Sequence, residues 1–124
     1  NWTPEGFIGQ LFKTLGKYLP PPAGAKSPAM WGTHARITEM FGTSAASIDA
    51  ERRHFNFRYR SPLHFLDVFR NYYGPTLKAF AALDETNQRR LADDILALIA
   101  SMNRATDGTM VLPSEYLEIV IVKR

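Results

Sequence analysis

Apolar positions along the chain recur with two periods, and the change from one to the other marks the elements. Phe7, Ile8, Leu11, Phe12 and Leu15 share one face at helical spacing, predicting a helix from about Pro4 to Tyr18. Thr3 reads as its cap, Pro4 as its first residue and Glu5 as a first-turn acid. Leu19-Pro20-Pro21-Pro22 ends it, because proline lacks the amide donor and restricts the residue before it. After a Pro/Gly/Ala linker, Ser27-Pro28 repeats the cap-then-proline start, and Trp31 is expected to anchor into a core. Thr33 caps a further short helix through Phe41, stopped by Gly42. From Ser47 to Arg60 the period falls to two. Phe55, Phe57 and Tyr59 face one way, and His54, Asn56, Arg58 and Arg60 the other, giving a strand with one apolar and one basic face.

The second half repeats the same devices. Ser61-Pro62 starts a helix with the stripe Phe65, Leu66, Phe69, Tyr72 and Tyr73. Gly74-Pro75 breaks it, and a further helix carries Leu77, Phe80 and Leu83. Asp84 caps the last helix, where Leu91, Ile95, Leu98, Ile99 and Met102 keep the clearest helical spacing. Asp107-Gly108 predicts a turn, Thr109–Leu112 a short strand, and Glu115–Lys123 another beyond Pro113. That last strand is apolar on both faces: Tyr116, Val120 and Val122 on one, Leu117, Ile119 and Ile121 on the other. Such a strand is expected to be covered on both sides. The fold class is therefore α/β, several helices on a small sheet of about three strands, in one domain over residues 1–124.

Composition changes this picture little. The chain has 124 residues, 22% of them charged, which suits one globular domain. It has no cysteine, so disulfides and thiolate metal sites are excluded. No apolar run approaches a membrane span and no signal peptide is visible, so a cytoplasmic protein without membrane contact is expected. Residues 1–60 hold eight basic and four acidic side chains, an excess too small for a nucleic-acid footprint. The first helix begins so close to Asn1 that the chain reads as a piece of something longer. A half-domain leaves apolar surface open, so a homodimer or larger assembly through the edge at Glu115–Lys123 is expected.

The search for catalytic chemistry is mostly negative. Gly6 and Gly9 make no phosphate loop, and His34, His54 and His64 lack metal-ligand spacing. Ser61 is better read as a helix cap than a nucleophile, and Asp93-Asp94 as a solvated face. The row Arg52, His54, Asn56, Arg58 and Arg60 suits an anion, although an exposed face paired with acids explains it better.

Taken together and in order, several segments resemble the C-terminal half of a bacterial class I S-adenosylmethionine-dependent methyltransferase of the ubiquinone/menaquinone-biosynthesis-like group. They are Trp2-Thr3-Pro4-Glu5-Gly6-Phe7, Pro20-Pro21-Pro22, Ser27-Pro28 with Trp31-Gly32-Thr33, Phe57-Arg58-Tyr59-Arg60-Ser61-Pro62, Tyr72-Tyr73-Gly74-Pro75-Thr76, and Asp107-Gly108-Thr109 with Pro113-Ser114-Glu115-Tyr116-Leu117. No single motif is diagnostic; the ordered set carries the likeness. It implies a Rossmann-like parent sheet, with the donor bound by a strand, Gly-rich loop and helix that this chain lacks. It also implies that Asn1 and Trp2 follow the fourth strand, with Asn1 beside S-adenosylmethionine. Trp2, Trp31, His64 and Tyr73 are then the substrate-side candidates for a small-molecule acceptor, and no residue here is assigned a catalytic role. The alternative is a non-catalytic binding or dimerisation domain.

Overall fold

The computed structural model describes residues Asn1–Arg124. Five helices and two long strands follow in the order α1 (Phe7–Tyr18), α2 (His34–Phe41), β1 (Ala45–Tyr59), α3 (Pro62–Tyr72), α4 (Gly74–Ala82), α5 (Glu85–Met102) and β2 (Met110–Lys123). A short 3-10 helix, Pro28–Gly32, precedes α2. The caps sit where side chains can accept from free amide groups. Ser27 accepts from Ala29 N, Thr33 from Arg36 N, Ser61 from His64 N and Asp84 from Asn87 N. No helix is long and apolar enough to cross a membrane.

Helix α1 starts three residues later than its apolar spacing suggests. Its cap is Gly6, while Thr3 accepts a hydrogen bond from Gly6 N at 3.2 Å and so closes a turn ahead of the helix. The reason is a competing demand on the backbone. Asn1–Thr3 lies extended along β2: Thr3 N donates to Glu115 O at 3.2 Å and Leu117 N to Asn1 O at 2.7 Å, around an antiparallel bridge of Trp2 with Tyr116.

The sheet is a single antiparallel pair in which Phe57 faces Leu112, Phe55 faces Ser114 and His54 faces Glu115. Two strands replace the three expected, because β2 runs unbroken through Pro113. In an antiparallel strand successive amides point to alternate edges. Val111, Glu115 and Leu117 turn their peptide groups away from β1: Val111 N donates to Asn103 Oδ1 and Leu117 N to Asn1 O, while Val111 O accepts from Arg104 N and Glu115 O from Thr3 N. Pro113 shares that parity, so its missing donor removes no bond to β1.

The core lies between one half of this sheet and helices α1, α3, α4 and α5. It contains Phe7, Ile8, Leu11, Phe65, Leu91, Ile95, Ile99, Met110 and Leu112, all essentially sealed from solvent. Phe7, Phe57, Phe65 and Phe69 meet mostly edge to face, at 5.5–6.0 Å between centroids, with Phe65 and Phe69 stacked at 3.9 Å. The far half of β2 is different. Leu117 is buried, but Val120 and Val122 are 56% and 50% exposed and Ile121 is also exposed, so the expected cover on both faces stops at Leu117. Trp31 does not anchor a core either: it is 41% exposed, with only Phe41 as an aromatic neighbour at 6.3 Å. Its glycine neighbour takes the buried position instead.

Backbones come closest at two glycines. A β-carbon on Gly9 of α1 would overlap the Thr3 and Pro4 carbonyl oxygens, and one on Gly32 would overlap the Trp2 carbonyl. Gly16, in the same helix as Gly9, has nothing near it. The two therefore respond oppositely to alanine. Gly16→Ala raises stability by about 0.5–1 kcal/mol through helix propensity, whereas Gly9→Ala lowers it by about 1–3 kcal/mol through overpacking. Denaturant unfolding of both variants at unchanged m-value checks this; equal and positive changes would contradict the packing.

Candidate functional site

Two cavities flank the Asn1–Thr3 segment, one on each face of the sheet. On the face that carries Phe57 and Leu112, an apolar cleft of about 270 Å³ is lined by Asn1, Trp2, Phe55 and Tyr116. The alternation of β1 brings Phe55 and Phe57 to this side, and the bridge at Tyr116 brings Trp2 against them. Trp2 is half-buried, with ring centroids at 5.7 Å from Phe57, 6.0 Å from Tyr116 and 6.3 Å from Phe55. Phe55 is 51% exposed, so the cleft opens to solvent between rings that stand 70–81° to Trp2.

On the opposite face a polar cavity of about 280 Å³ is lined by Glu5, Gly6, His54, Arg104, Pro113 and Glu115, with Met102 at its side. Glu115 is its hub. Oε1 accepts from the Thr3 hydroxyl at 2.9 Å and from Arg52 at 2.7 Å. Oε2 has His54 Nε2 at 4.0 Å. Thr3 itself is buried and also accepts from Gly6 N, so the strand, the turn and the carboxylate are tied at one hydroxyl. Arg104 is held by its backbone, which donates to Val111 O at 2.9 Å. Its neighbour Asn103 accepts from Val111 N and Ala105 N through Oδ1. A third cleft, of about 500 Å³, lies between α1 and the proline loop, with Gly9, Phe12, Gly16, Pro21 and Met30 along it.

The residues singled out from the sequence do not converge. Trp2 and Asn1 share the apolar cleft, but Trp31 lies off with Phe41, and none of the cavities described is lined by His64 or Tyr73. His64 packs its ring on Tyr59 at 5.5 Å, and its buried Nδ1 has no partner. Tyr73 leans on Phe69 at 4.7 Å, while Tyr72 is 83% exposed. Ser61 serves as a cap, and Asp94 accepts from the Tyr18 hydroxyl at 3.0 Å, which gives that acid a packing task. The basic face of β1 is paired with an acid only in part: Arg52 and His54 share Glu115, whereas Arg58 and Arg60 have no ion pair; Arg53, on the other face, pairs with Glu51 and Glu118. The sequence reading passed over Glu5, Arg104 and Glu115. Only the cross-strand register, His54 opposite Glu115, unites them, and the two positions are 61 residues apart.

No family model matches the chain. Its curated relatives include Uncharacterized protein Rv1403c of Mycobacterium tuberculosis, 34% identical over 88 residues, which is 69% of this chain and 32% of that protein. Uncharacterized protein Rv1405c of the same organism is 29% identical over 126 aligned residues, covering 100% of this chain and 45% of that protein. Uncharacterized protein Mb1438c of Mycobacterium bovis matches with the same figures as the first. The match thus spans 32–45% of the length of these curated relatives.

Burial gives one of the candidates read from the sequence a measurable signature. Desolvation of the Tyr73 hydroxyl raises its pKa above the ordinary tyrosine value. A group whose pKa is raised on folding contributes stability below its unfolded pKa and loses it as pH rises through the folded one. Unfolding free energy therefore declines from about pH 10 upward, and Tyr73→Phe flattens that decline. Phenolate absorbance should show the variant lacking a late-ionising tyrosine; an unchanged alkaline titration would contradict the burial.

Proposed function

We propose that this chain is the acceptor-side portion of an S-adenosylmethionine-dependent methyltransferase acting on a small molecule. The reading rests on the ordered segments that resemble that class, and one structural observation carries it further. Asn1–Thr3 pairs along the second edge of β2, antiparallel to it. A strand leading into Asn1 would continue along Glu118–Lys123, beside the exposed Val120 and Val122. The greater length of the relatives is in keeping with such a strand and with a larger sheet. In open α/β sheets ligands gather beyond the strand ends, which puts the acceptor near Trp2. In the isolated chain the same edge is where a second copy would pair.

The residues present do not form a donor site by themselves. No Gly-rich loop opens a helix in this chain, and Asn1 is its one proposed donor contact. Methyl transfer is an in-line displacement in which proximity and orientation supply much of the rate. The apolar cleft of Asn1, Trp2, Phe55 and Tyr116 suits that task, holding a flat apolar acceptor without a catalytic group.

Calorimetry on the isolated chain should then show no saturable S-adenosylmethionine heat, while the intact protein binds it. Micromolar binding by this chain alone, or none by the intact protein, would overturn the reading. A non-catalytic binding domain would give the second result.

Trp2 tests the acceptor side. In the intact protein, Trp2→Ala is expected to cut turnover while donor affinity stays the same. If the change costs only melting temperature, with activity per folded molecule unchanged, Trp2 is a packing residue and not a pocket wall.

A further inference from the structure

The polar cavity holds charges that the fold leaves unmatched. Glu5 and Arg104 both line it, and neither has an opposite charge within 4.0 Å, whereas Glu115 beside them has Arg52 and His54. Across the same space, Glu115 keeps one oxygen saturated and the other open. Oε1 takes the Thr3 hydroxyl and Arg52, while Oε2 has only His54, at 4.0 Å. The Glu115 side chain is 21% exposed, so that open oxygen is a partly desolvated acceptor. The cavity is therefore lined by two acids, Glu5 and Glu115, and by Arg104, which pairs with neither.

We infer that this cavity is a binding site for a small zwitterion of the amino-acid type, independent of the methyl-acceptor cleft on the other face. Its ammonium group would donate to Glu5 and Glu115 Oε2, and its carboxylate would accept from the Arg104 guanidinium, whose planar fork suits a carboxylate. Three features favour a zwitterion over a singly charged ligand. Arg52 already offsets the Glu115 charge, so Glu5 and Arg104 leave the lining nearly neutral. A lone amine would leave Arg104 unmatched, and a lone carboxylate would meet two acids. At about 280 Å³ the space lies at the small end of ligand sites, which fits a compact ligand. Its frame is fixed: the Thr3 hydroxyl orients Glu115, and Asn103 with Val111 holds the backbone at Arg104.

Amide chemical-shift titration of the chain as it stands tests this. The probes are L-alanine and L-glutamine, with ethylamine and propionate as single-charge controls. Saturable shifts at Gly6, Arg104 and Glu115 are expected with the amino acids and not with the controls. Glu5→Gln and Arg104→Met change exposed side chains and should keep the native spectrum. Each should weaken amino-acid binding by about tenfold, the size of one lost charge-assisted hydrogen bond. Arg58→Met, on the same sheet face but outside the cavity, should change nothing. The inference is overturned if no amino acid gives saturable shifts at millimolar concentration, if ethylamine or propionate binds as well, or if neither variant weakens binding. The outcome does not depend on methyl transfer, so this inference and that reading can fail separately.

Discussion

The backbone of Asn1–Pro4 is held on three sides, and the positions of most other parts follow from that clamp. Below it, β2 supplies the hydrogen bonds to Thr3 N and Asn1 O. Beside it, Gly9 brings α1 so near that a methyl group would strike the Thr3 and Pro4 carbonyls. Above it, Gly32 lets the 3-10 helix rest on the Trp2 carbonyl. A strand segment this short has little pairing energy of its own. Close packing by two glycine-bearing helices fixes it where a longer strand would rely on its ladder. Thr3, buried among them, cannot leave its hydroxyl unpaired without a desolvation cost, and it resolves this by bonding Gly6 N and Glu115 together. The entry angle of α1 and the orientation of the Glu115 carboxylate are thus consequences of one buried threonine.

From that clamp the core spreads unevenly over the sheet. Trp2 passes its contact to Phe57, Phe57 to Phe7, Phe65 and Phe69, and Phe65 to Tyr59, so that a continuous run of rings ties β1 to α1 and α3. Ring pairs of this kind add about 0.5–1.5 kcal/mol each beyond area burial. The run therefore weighs heavily in a domain of this size. Past Arg53 on β1 and Tyr116 on β2 no ring continues it. The same sheet face carries Glu51, Asp49 and Glu118, and the valines beyond are bare. One end of the sheet is a finished core, and the other leaves its valines exposed.

What was legible in the sequence was local. Ser27, Thr33, Ser61 and Asp84 were readable as caps because a cap is a contact across three residues, and each accepts the expected amide. The alternation in β1 was readable for the same reason, as was the stripe Leu91, Ile95 and Ile99 in α5. Trp31 was misread because size favours burial only where a neighbour is at hand. Here the tight approach of Gly32 to Trp2 pins the turn and leaves the indole outside. The start of α1 was misplaced because Thr3 answers to β2, more than a hundred residues away. The polar cavity was out of reach for the same cause: Glu5, His54, Arg104 and Glu115 share no spacing that a scan along the chain detects.

Pro113 shows how register turns those distant residues into a site. Its parity points the missing amide to the edge where β2 changes partners, from Asn103 and Arg104 at Val111 to Thr3 at Glu115. Neither partner needs a donor at 113, so the proline costs no bond, and the gap between the two partners is where the polar cavity opens. The neighbours complete the division of labour. Ser114 turns to the core face and accepts from Ile8 N at 3.3 Å, Glu115 turns to the cavity, and Tyr116 turns back toward Trp2. A slip of one residue would send the serine to solvent, drive the glutamate carboxylate against Phe57 and Phe7, and place the proline where β1 requires a donor. Each of these outcomes is costly, so Pro113-Ser114-Glu115 specifies a single register. That register sets the aromatic cleft on one face and the charged cavity on the other.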